Sequence, residues 1–162
     1  MGYIMDLRKV IGHRPIIMTS ACCIILNEKN EVLLQLRKDN NLYSYPGGSL
    51  ELHETFEEAC IREVKEETGL TISSLHLFSL NSGENMHYIY PNNDEVYIAE
   101  ACFITNDYCG EEKIQEDEVI SQNWFSLDSL PDNIFKVNKN TLTKLKLLIE
   151  NNQLDTLIGG KK

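Results

Sequence analysis

One segment of the sequence, from Thr55 to Gly69, is delimited as a helix at both of its ends. Thr55 and Glu58 have the spacing of a capping box, in which each side chain accepts a hydrogen bond from the backbone N–H of the other residue. Gly69 stands where a helix commonly ends in a left-handed residue. The sequence therefore predicts a helix over Phe56–Thr68, and the remaining elements have to be arranged around it.

The segments on either side of this helix are rich in residues that favour strands. Ile16–Leu26 and Glu31–Arg37 flank a polar turn, which is the pattern of a hairpin. Further strands are predicted at Leu75–Leu80, Met86–Tyr90, Val96–Ile104 and Asn123–Leu127, the third of them half-buried. Leu142–Glu150 has apolar residues at helical spacing and predicts a second helix. These elements predict an α+β fold with a mixed sheet covered by helices.

The length of 162 residues predicts one domain, residues 1–152, followed by a tail, 153–162, that we expect to be frayed. The longest apolar run, Ala21–Leu26, is far shorter than the ~20 residues of a membrane span, and the N-terminus lacks the layout of a signal peptide. We therefore expect a cytoplasmic protein with no membrane partner. The five cysteines form no CxxC pair and are expected to be free thiols.

The charge of the chain argues against a nucleic acid as its main partner. Lys and Arg number 15 and Asp and Glu number 25, so the net charge is -10. Affinity for a nucleic-acid backbone comes largely from basic side chains that neutralise phosphates. An acidic protein can nevertheless act on a phosphate compound when divalent metal ions lie between the two.

The predicted helix concentrates acidic residues beside its apolar side. Projected at about 100° per residue, its apolar stripe consists of Phe56, Cys60 and Val64. Glu63 and Glu67 fall on the same side, with Glu66 one step around. Such carboxylates repel one another, and the single guanidinium of Arg62 is too little to neutralise them. A solvated acidic face is one interpretation of this pattern, and a site for Mg²⁺ or Mn²⁺ is the other.

The spacing of residues around this helix decides between the two interpretations. The pattern G-x5-E-x7-R-E-U-x-E-E-x-G-U, where U is a bulky aliphatic residue, is matched by Gly48, Glu54, Arg62, Glu63, Val64, Glu66, Glu67, Gly69 and Leu70. This is the Nudix box, and the sequence resembles Nudix hydrolases. Tyr45–Gly47, Trp124–Leu127 and Leu130–Pro131 also look like family sequence, so the resemblance reaches from about Ile16 to Pro131.

The resemblance implies a Nudix-type α/β/α sandwich with a mixed β-sheet between helices. It also implies a divalent metal, Mg²⁺ or alternatively Mn²⁺, held by Glu66 and Glu67, with Glu63 as a ligand or as the general base. The backbone carbonyl of Gly47 is a further ligand in this comparison. Glycine suits that position because the backbone must approach the ion closely.

The resemblance assigns two more charged residues to the catalytic machinery. Arg62 is expected to pair with Glu54 and to brace the loop of the box against the helix. A further carboxylate is expected from the loop before the Trp124 strand, with Glu118 as the first choice and Glu116 as the second. A solvated run of charge is the alternative interpretation of that loop.

Substrate contacts are expected outside the box. Arg14 and Arg37 are candidates for binding phosphate, because the planar guanidinium fits phosphate oxygens, although exposed arginine is a common surface residue. Tyr90, on the predicted loop Tyr88–Val96, is the candidate for stacking on a base. The other tyrosines considered for this role, or alternatively for packing, are Tyr43, Tyr45, Tyr88 and Tyr97.

The resemblance implies hydrolysis of the pyrophosphate linkage of a nucleoside diphosphate derivative, with ADP-ribose or a nucleotide sugar favoured. One alternative is a nucleoside triphosphate pyrophosphohydrolase that cleanses the nucleotide pool. A second is a Nudix module that senses a nucleotide without cleaving it. A third alternative, isomerase chemistry on an isoprenoid diphosphate, is not supported by any cysteine motif in the sequence. The sequence leaves open whether the protein is a homodimer.

Overall fold

A computed structural model describes residues 2–159 and contains four α-helices within them. The helices are α1 (Tyr3–Ile11), α2 (Phe56–Thr68), α3 (Lys139–Glu150) and α4 (Leu154–Ile158). The strands are β1 (Ile16–Ile25), β2 (Val32–Arg37), β3 (Tyr43–Ser44), β4 (Gly47–Ser49), β5 (Thr71–Ile72), β6 (His76–Asn81), β7 (His87–Ile89), β8 (Glu95–Thr105), β9 (Tyr108–Cys109) and β10 (Val119–Phe125). Helices and strands are mixed as expected, which confirms the α+β class. No helix of the described residues is long and apolar enough to cross a bilayer.

The central sheet is mixed and is organised around two long parallel strands. β1 pairs with β8 from Ile16 opposite Val96 to Ile25 opposite Thr105. β4 pairs antiparallel with the other edge of β1, and β6 and β7 pair antiparallel with β8. Parallel neighbours require a long crossover connection, which here contains α2.

The predicted hairpin of the first two strands is wrong. Only one isolated bridge, Leu26 with Val32, joins the end of the first run to the second. β2 instead pairs with β3 and β10 in a separate three-stranded sheet. β8 occupies one edge of β1 along its whole length, and β4 occupies the other edge at Ser20, Ala21 and Cys22. Strand-like composition identifies a strand but not its partner, which explains the error.

The core lies on both faces of the central sheet. Cys22 and Ile24 of β1 belong to a cluster completed by α3 and α4, through residues such as Leu142 and Leu154. The alternate residues, Ala21, Cys23 and Ile25, belong to a second cluster with Ala59, Cys60 and Val64 of α2. Because successive residues of a strand face opposite sides, helices cover both faces of β1. The expected α/β/α arrangement is therefore present.

Two expectations about burial need correction. The half-buried pattern expected of β8 is present from Val96 to Ala99, but every residue from Glu100 to Thr105 is buried. Phe56 was expected on the apolar stripe of α2, but it is exposed, because the first turn of α2 extends beyond the buried face of the helix. The buried residues of α2 are Ala59, Cys60, Val64, Glu67 and Thr68.

Two helices near the ends of the described chain were not predicted. The first turn of α1 is held by Glu51, whose carboxylate oxygens accept hydrogen bonds from the Tyr3 backbone N–H at 2.9 and 3.2 Å. α4 lies in the segment expected to be frayed, yet its Leu154 and Ile158 are buried in the core. The part of that expectation that concerns residues 160–162 lies outside the described residues.

Candidate functional site

The helix α2 is held at both ends as its sequence predicts. Thr55 Oγ1 accepts a hydrogen bond from the Glu58 N–H at 3.2 Å, and Glu58 Oε2 accepts one from the Thr55 N–H at 2.9 Å. Gly69 ends the helix in the left-handed region with φ 77°. These contacts fix the positions of the helix turns, and hence which side chains of α2 share one face.

A cavity of about 870 Å³ lies beside the acidic side of α2. Its volume falls within the range of roughly 300–1,000 Å³ that is typical of small-molecule sites. Its lining includes the four glutamates expected at the acidic site, namely Glu63, Glu66, Glu67 and Glu118. Glu116, the second choice for the loop carboxylate, is exposed and is not part of this lining. The cavity therefore joins the expected acidic residues to a space large enough for a nucleotide.

Glu67 is the most buried of these carboxylates, with only 2% of its side chain exposed. Its Oε2 accepts a hydrogen bond from the Gly47 N–H at 2.9 Å, and its Oε1 lies 3.8 Å from Arg37 Nη1. Burial raises the pKa of Glu67 to about 8, and the nearby charges of Glu63 and Glu118 act in the same direction. The protein groups around this carboxylate therefore stabilise its charged form only in part.

Two glycines let the backbone of β4 pass close to these carboxylates. A Cβ atom on Gly47 would lie 2.5 Å from the Cα atom of Cys22, so no larger residue fits between β4 and β1 at this point. A Cβ atom on Gly48 would collide with the carboxylate of Glu63. The Gly47–Gly48 pair therefore brings backbone polar groups into the acidic site, as expected for a ligand position at Gly47.

Arg62 connects the loop of the box to the acidic face of the helix. It donates to both carboxylate oxygens of Glu54 at 2.7 and 2.9 Å and to the Ser49 carbonyl at 3.2 Å. Its Nη1 also donates to Glu63 at 2.6 Å and to Glu66 at 3.3 Å. The bonds from Arg62 hold the pKa of Glu54 below its usual range. The expected brace is present, and it orients Glu63 as well.

The residues of this acidic site fit a divalent metal ion. Burial raises the pKa of Glu63 as it does that of Glu67, so a cation beside them would favour the charged forms of both carboxylates. All of the donors are oxygen atoms, the ligands preferred by hard cations such as Mg²⁺ and Mn²⁺. Glu66 is half-exposed and can turn toward such an ion without leaving a buried position.

The structure separates the two arginines that were expected to bind phosphate. Arg37 lines the cavity, with Asp39 accepting two hydrogen bonds from its guanidinium at 3.0 Å each. The side chain of Arg14 is exposed and does not line the cavity, so the structure does not place it at the site. The buried Arg8 of α1 lines the cavity instead. Arg8 was missed because α1 itself was not predicted.

The tyrosines considered for base stacking occupy different surroundings. Tyr90 lines the cavity and packs edge-to-face against Tyr88, with ring centroids 4.9 Å apart. Tyr45 also borders the cavity but is buried, and its hydroxyl donates to Glu100 at 3.2 Å. Tyr43 packs against Phe125 in the core, and Tyr97 is exposed outside the cavity lining. Tyr90 is therefore the best placed of these side chains to stack on a ligand.

Sequence reasoning missed two buried polar side chains in the cavity. Ser20 and Asn138 both line it, and they are 7% and 1% exposed respectively. Among residues 2–159, neither Ser20 Oγ nor Asn138 Oδ1 has a hydrogen-bond partner. Buried polar atoms are normally paired, so these two are available to a ligand or to water. Isolated Ser and Asn residues carry no signal in the sequence that distinguishes them from surface residues.

The family model of the NUDIX domain matches residues 17–145 of the chain. The curated relatives include an NAD-capped RNA hydrolase NudC from Haemophilus influenzae, 32% identical over 124 residues that cover 73% of this chain and 43% of the relative. The chain thus spans less than half the length of that relative.

Two shorter relatives are covered more fully. An 8-oxo-dGTP diphosphatase from Escherichia coli is 32% identical over 77% of this chain and 93% of its own length. An ADP-ribose pyrophosphatase from Methanocaldococcus jannaschii is 34% identical over 71% of this chain and 66% of its own length. The crystal structure of a MutT NUDIX hydrolase from Burkholderia pseudomallei matches with a TM-score of 0.68 at 21% identity, covering 82% of this chain and 98% of that one, and so supports the same fold.

Proposed function

Since the chain belongs to the Nudix family, we propose that it is a Mg²⁺-dependent pyrophosphohydrolase that acts on nucleoside diphosphate derivatives. The observation that carries this proposal is the acidic wall of Glu63, Glu66 and Glu67 beside a cavity of about 870 Å³. A generic acidic helix face would be solvated, whereas Glu67 is almost completely buried. Arg62 binds Glu63 directly, and the absence of a side chain at Gly48 leaves room for the Glu63 carboxylate, so both residues help to hold the wall in place.

The side chains of this wall have distinct roles in the proposed reaction. Glu66, Glu67 and the Gly47 carbonyl would hold the divalent ion, which when bound lowers the pKa of water and neutralises phosphate charge. Glu63 takes the proton from the attacking water, or serves as a further ligand. Arg62 orients Glu63 through its 2.6 Å hydrogen bond. Glu118 lines the same cavity from the loop before β10.

The favoured substrates are ADP-ribose and nucleotide sugars. Arg37 supplies positive charge in the cavity, and Tyr90 supplies an aromatic surface for a base. The cavity is large enough for a nucleoside diphosphate that carries a second group of modest size. The name of the Methanocaldococcus relative, an ADP-ribose pyrophosphatase, adds support for this class.

A second candidate is the hydrolysis of nucleoside triphosphates. Ser20 and Asn138 give the cavity polar groups that a base edge would satisfy, so selection of one base has a physical means. The name of the Escherichia coli relative, an 8-oxo-dGTP diphosphatase, supports this alternative. The two candidate functions differ in the group attached to the nucleoside diphosphate. They also differ in how selective the enzyme is expected to be for one base.

A substrate panel with Mg²⁺ is the experiment that tests this function. We expect release of phosphate-containing products from ADP-ribose and nucleotide sugars, with kcat/KM above that for triphosphates, dinucleoside polyphosphates and NAD-capped RNA. A preference of more than about a hundredfold for an oxidised triphosphate, equal to roughly 2.7 kcal/mol, would favour the second candidate. Binding without product release from any compound would indicate a nucleotide sensor instead.

Substitution of Tyr90 tests its proposed contact with the base. Stacking is worth about 1–3 kcal/mol per base, and it is made equally in the ground and transition states. Tyr90→Ala is therefore expected to raise KM by roughly 5- to 150-fold and to change kcat little. Tyr97→Ala is a matched control, because Tyr97 is exposed and lies outside the cavity lining. A fall in kcat with unchanged KM would contradict the stacking role.

A further inference from the structure

A second group of metal-binding residue types lies in the sheet, apart from the acidic residues of α2. Cys22 of β1 is the register partner of Cys102 in β8, and Glu100 precedes Cys102 by two residues on the same face of that strand. One ligand atom from each of the three residues lies within 4.8 Å of the other two. All three side chains are buried, at 4%, 0% and 8% exposure for Cys22, Cys102 and Glu100.

We propose that Cys22, Glu100 and Cys102 form a binding site for a soft or borderline divalent cation such as Zn²⁺ or Cd²⁺. Thiolates select such cations, whereas Mg²⁺ requires oxygen ligands, so this site and the acidic site prefer different ions. Tetrahedral Zn²⁺ places its sulfur and oxygen ligands about 3.5–3.8 Å apart. The three ligand atoms lie within 4.8 Å of one another, so metal binding would require them to approach only to that spacing.

The surroundings of the three ligands support this site. The Cys22 thiol contacts the Ala101 carbonyl at 3.9 Å, and the Cys102 thiol contacts the Phe103 carbonyl at 3.7 Å. The two thiols also interact with each other, and Cys22 interacts with the Glu100 carboxylate, so the three side chains already face one another. The Glu100 carboxylate accepts hydrogen bonds at Oε1 from the Tyr45 hydroxyl at 3.2 Å and the Asn81 amide at 3.0 Å. Such outer partners orient the ligands of a metal site.

The position of the group also provides a route of entry. Cys22 and Glu100 line the cavity, and Cys102, with no exposed surface, is not among the residues that line it. A cation from the cavity therefore meets Cys22 and Glu100 first and reaches Cys102 behind them. Three protein ligands with one position left for water or another small ligand is a common arrangement for Zn²⁺.

A Cd²⁺ titration of the whole protein, monitored by ultraviolet thiolate-to-metal charge transfer in the presence of a phosphine reductant, tests the site. We expect a saturable signal that reaches its plateau at one ion per chain, is removed by Zn²⁺ and is insensitive to excess Mg²⁺. Cys102→Ser should abolish the signal. Cys109→Ser is the matched control, because Cys109 is the exposed cysteine, and it should leave the signal unchanged.

Two further variants separate this site from the proposed hydrolase activity. Glu67→Gln removes an expected Mg²⁺ ligand and should keep the full Cd²⁺ signal, whereas Cys102→Ser should keep Mg²⁺-dependent turnover. If Cys102→Ser does not fold, Glu100→Gln replaces it as the test variant. It should weaken Cd²⁺ binding by at least about tenfold. No saturable signal in the unmodified protein, or a signal that persists in Cys102→Ser, would overturn the proposal whatever the substrate panel shows.

Discussion

Replacement of Glu67 by glutamine is expected to lower Mg²⁺-dependent turnover by at least about a hundredfold, since even outer partners of metal ligands contribute 10- to 100-fold. The amide keeps the shape of the side chain and can still accept the 2.9 Å hydrogen bond from the Gly47 N–H. It lacks the negative charge that a hard cation requires. Steady-state kinetics and calorimetric Mg²⁺ titration should therefore show a parallel loss of turnover and metal affinity.

The same substitution should leave the metal-free fold intact. Burial raises the pKa of Glu67, so a neutral amide avoids the cost of a buried carboxylate. The Tm without metal should equal or exceed that of the unmodified protein. Glu57→Gln is the control, because Glu57 is exposed on the first turn of the same helix. It should alter neither the Tm nor the Mg²⁺-dependent turnover. Full activity of the unmodified protein in excess EDTA would contradict the metal-dependent mechanism.

Removal of Arg62 is expected to affect both stability and catalysis. Arg62→Ala leaves the partly buried carboxylates of Glu54 and Glu63 without their main hydrogen-bond donor. The expected loss is about 1–3 kcal/mol in the free energy of unfolding, or roughly 2–10 °C in Tm. Turnover should fall as well, because Glu63 loses the 2.6 Å contact that orients it. Chemical denaturation and kinetics on one preparation measure both effects.

Arg62→Lys and Arg14→Ala separate geometry from charge in this experiment. Lysine keeps the positive charge but cannot reproduce the fork that contacts both oxygens of Glu54, so an intermediate loss of stability is expected. Arg14→Ala removes one positive charge from an exposed side chain and should be close to neutral for stability. An unchanged Tm together with normal Mg²⁺ affinity in Arg62→Ala would show that the brace is dispensable.

The parts of the site that could be predicted from the sequence depend on contacts between residues near one another in the chain. The capping box of Thr55 and Glu58 and the end of α2 at Gly69 are both confirmed. Local hydrogen bonding determines these two features, so the sequence spacing carries them directly. The pairing of Arg62 with Glu54, which the resemblance to Nudix hydrolases implies, is also present.

The features that could not be predicted depend on residues far apart in the sequence. The partner of β1 is β8 rather than β2, and strand composition alone is compatible with either. Glu100 is buried because residues from elsewhere in the chain, among them Tyr45 and Asn81, pack against it. Ser20 and Asn138 reach the cavity from distant parts of the chain for the same reason.

The parallel pairing of β1 with β8 also governs the order in which the chain can fold. Partners in this ladder lie 80 positions apart, so its formation carries a large loop-closure entropy that local helices avoid. We expect α2 to form early and the ladder late, on the roughly millisecond-to-second timescale of domains with many non-local contacts. Until then the edges of β1 and β8 stay unpaired in newly made chains, and this interval is when aggregation competes with folding.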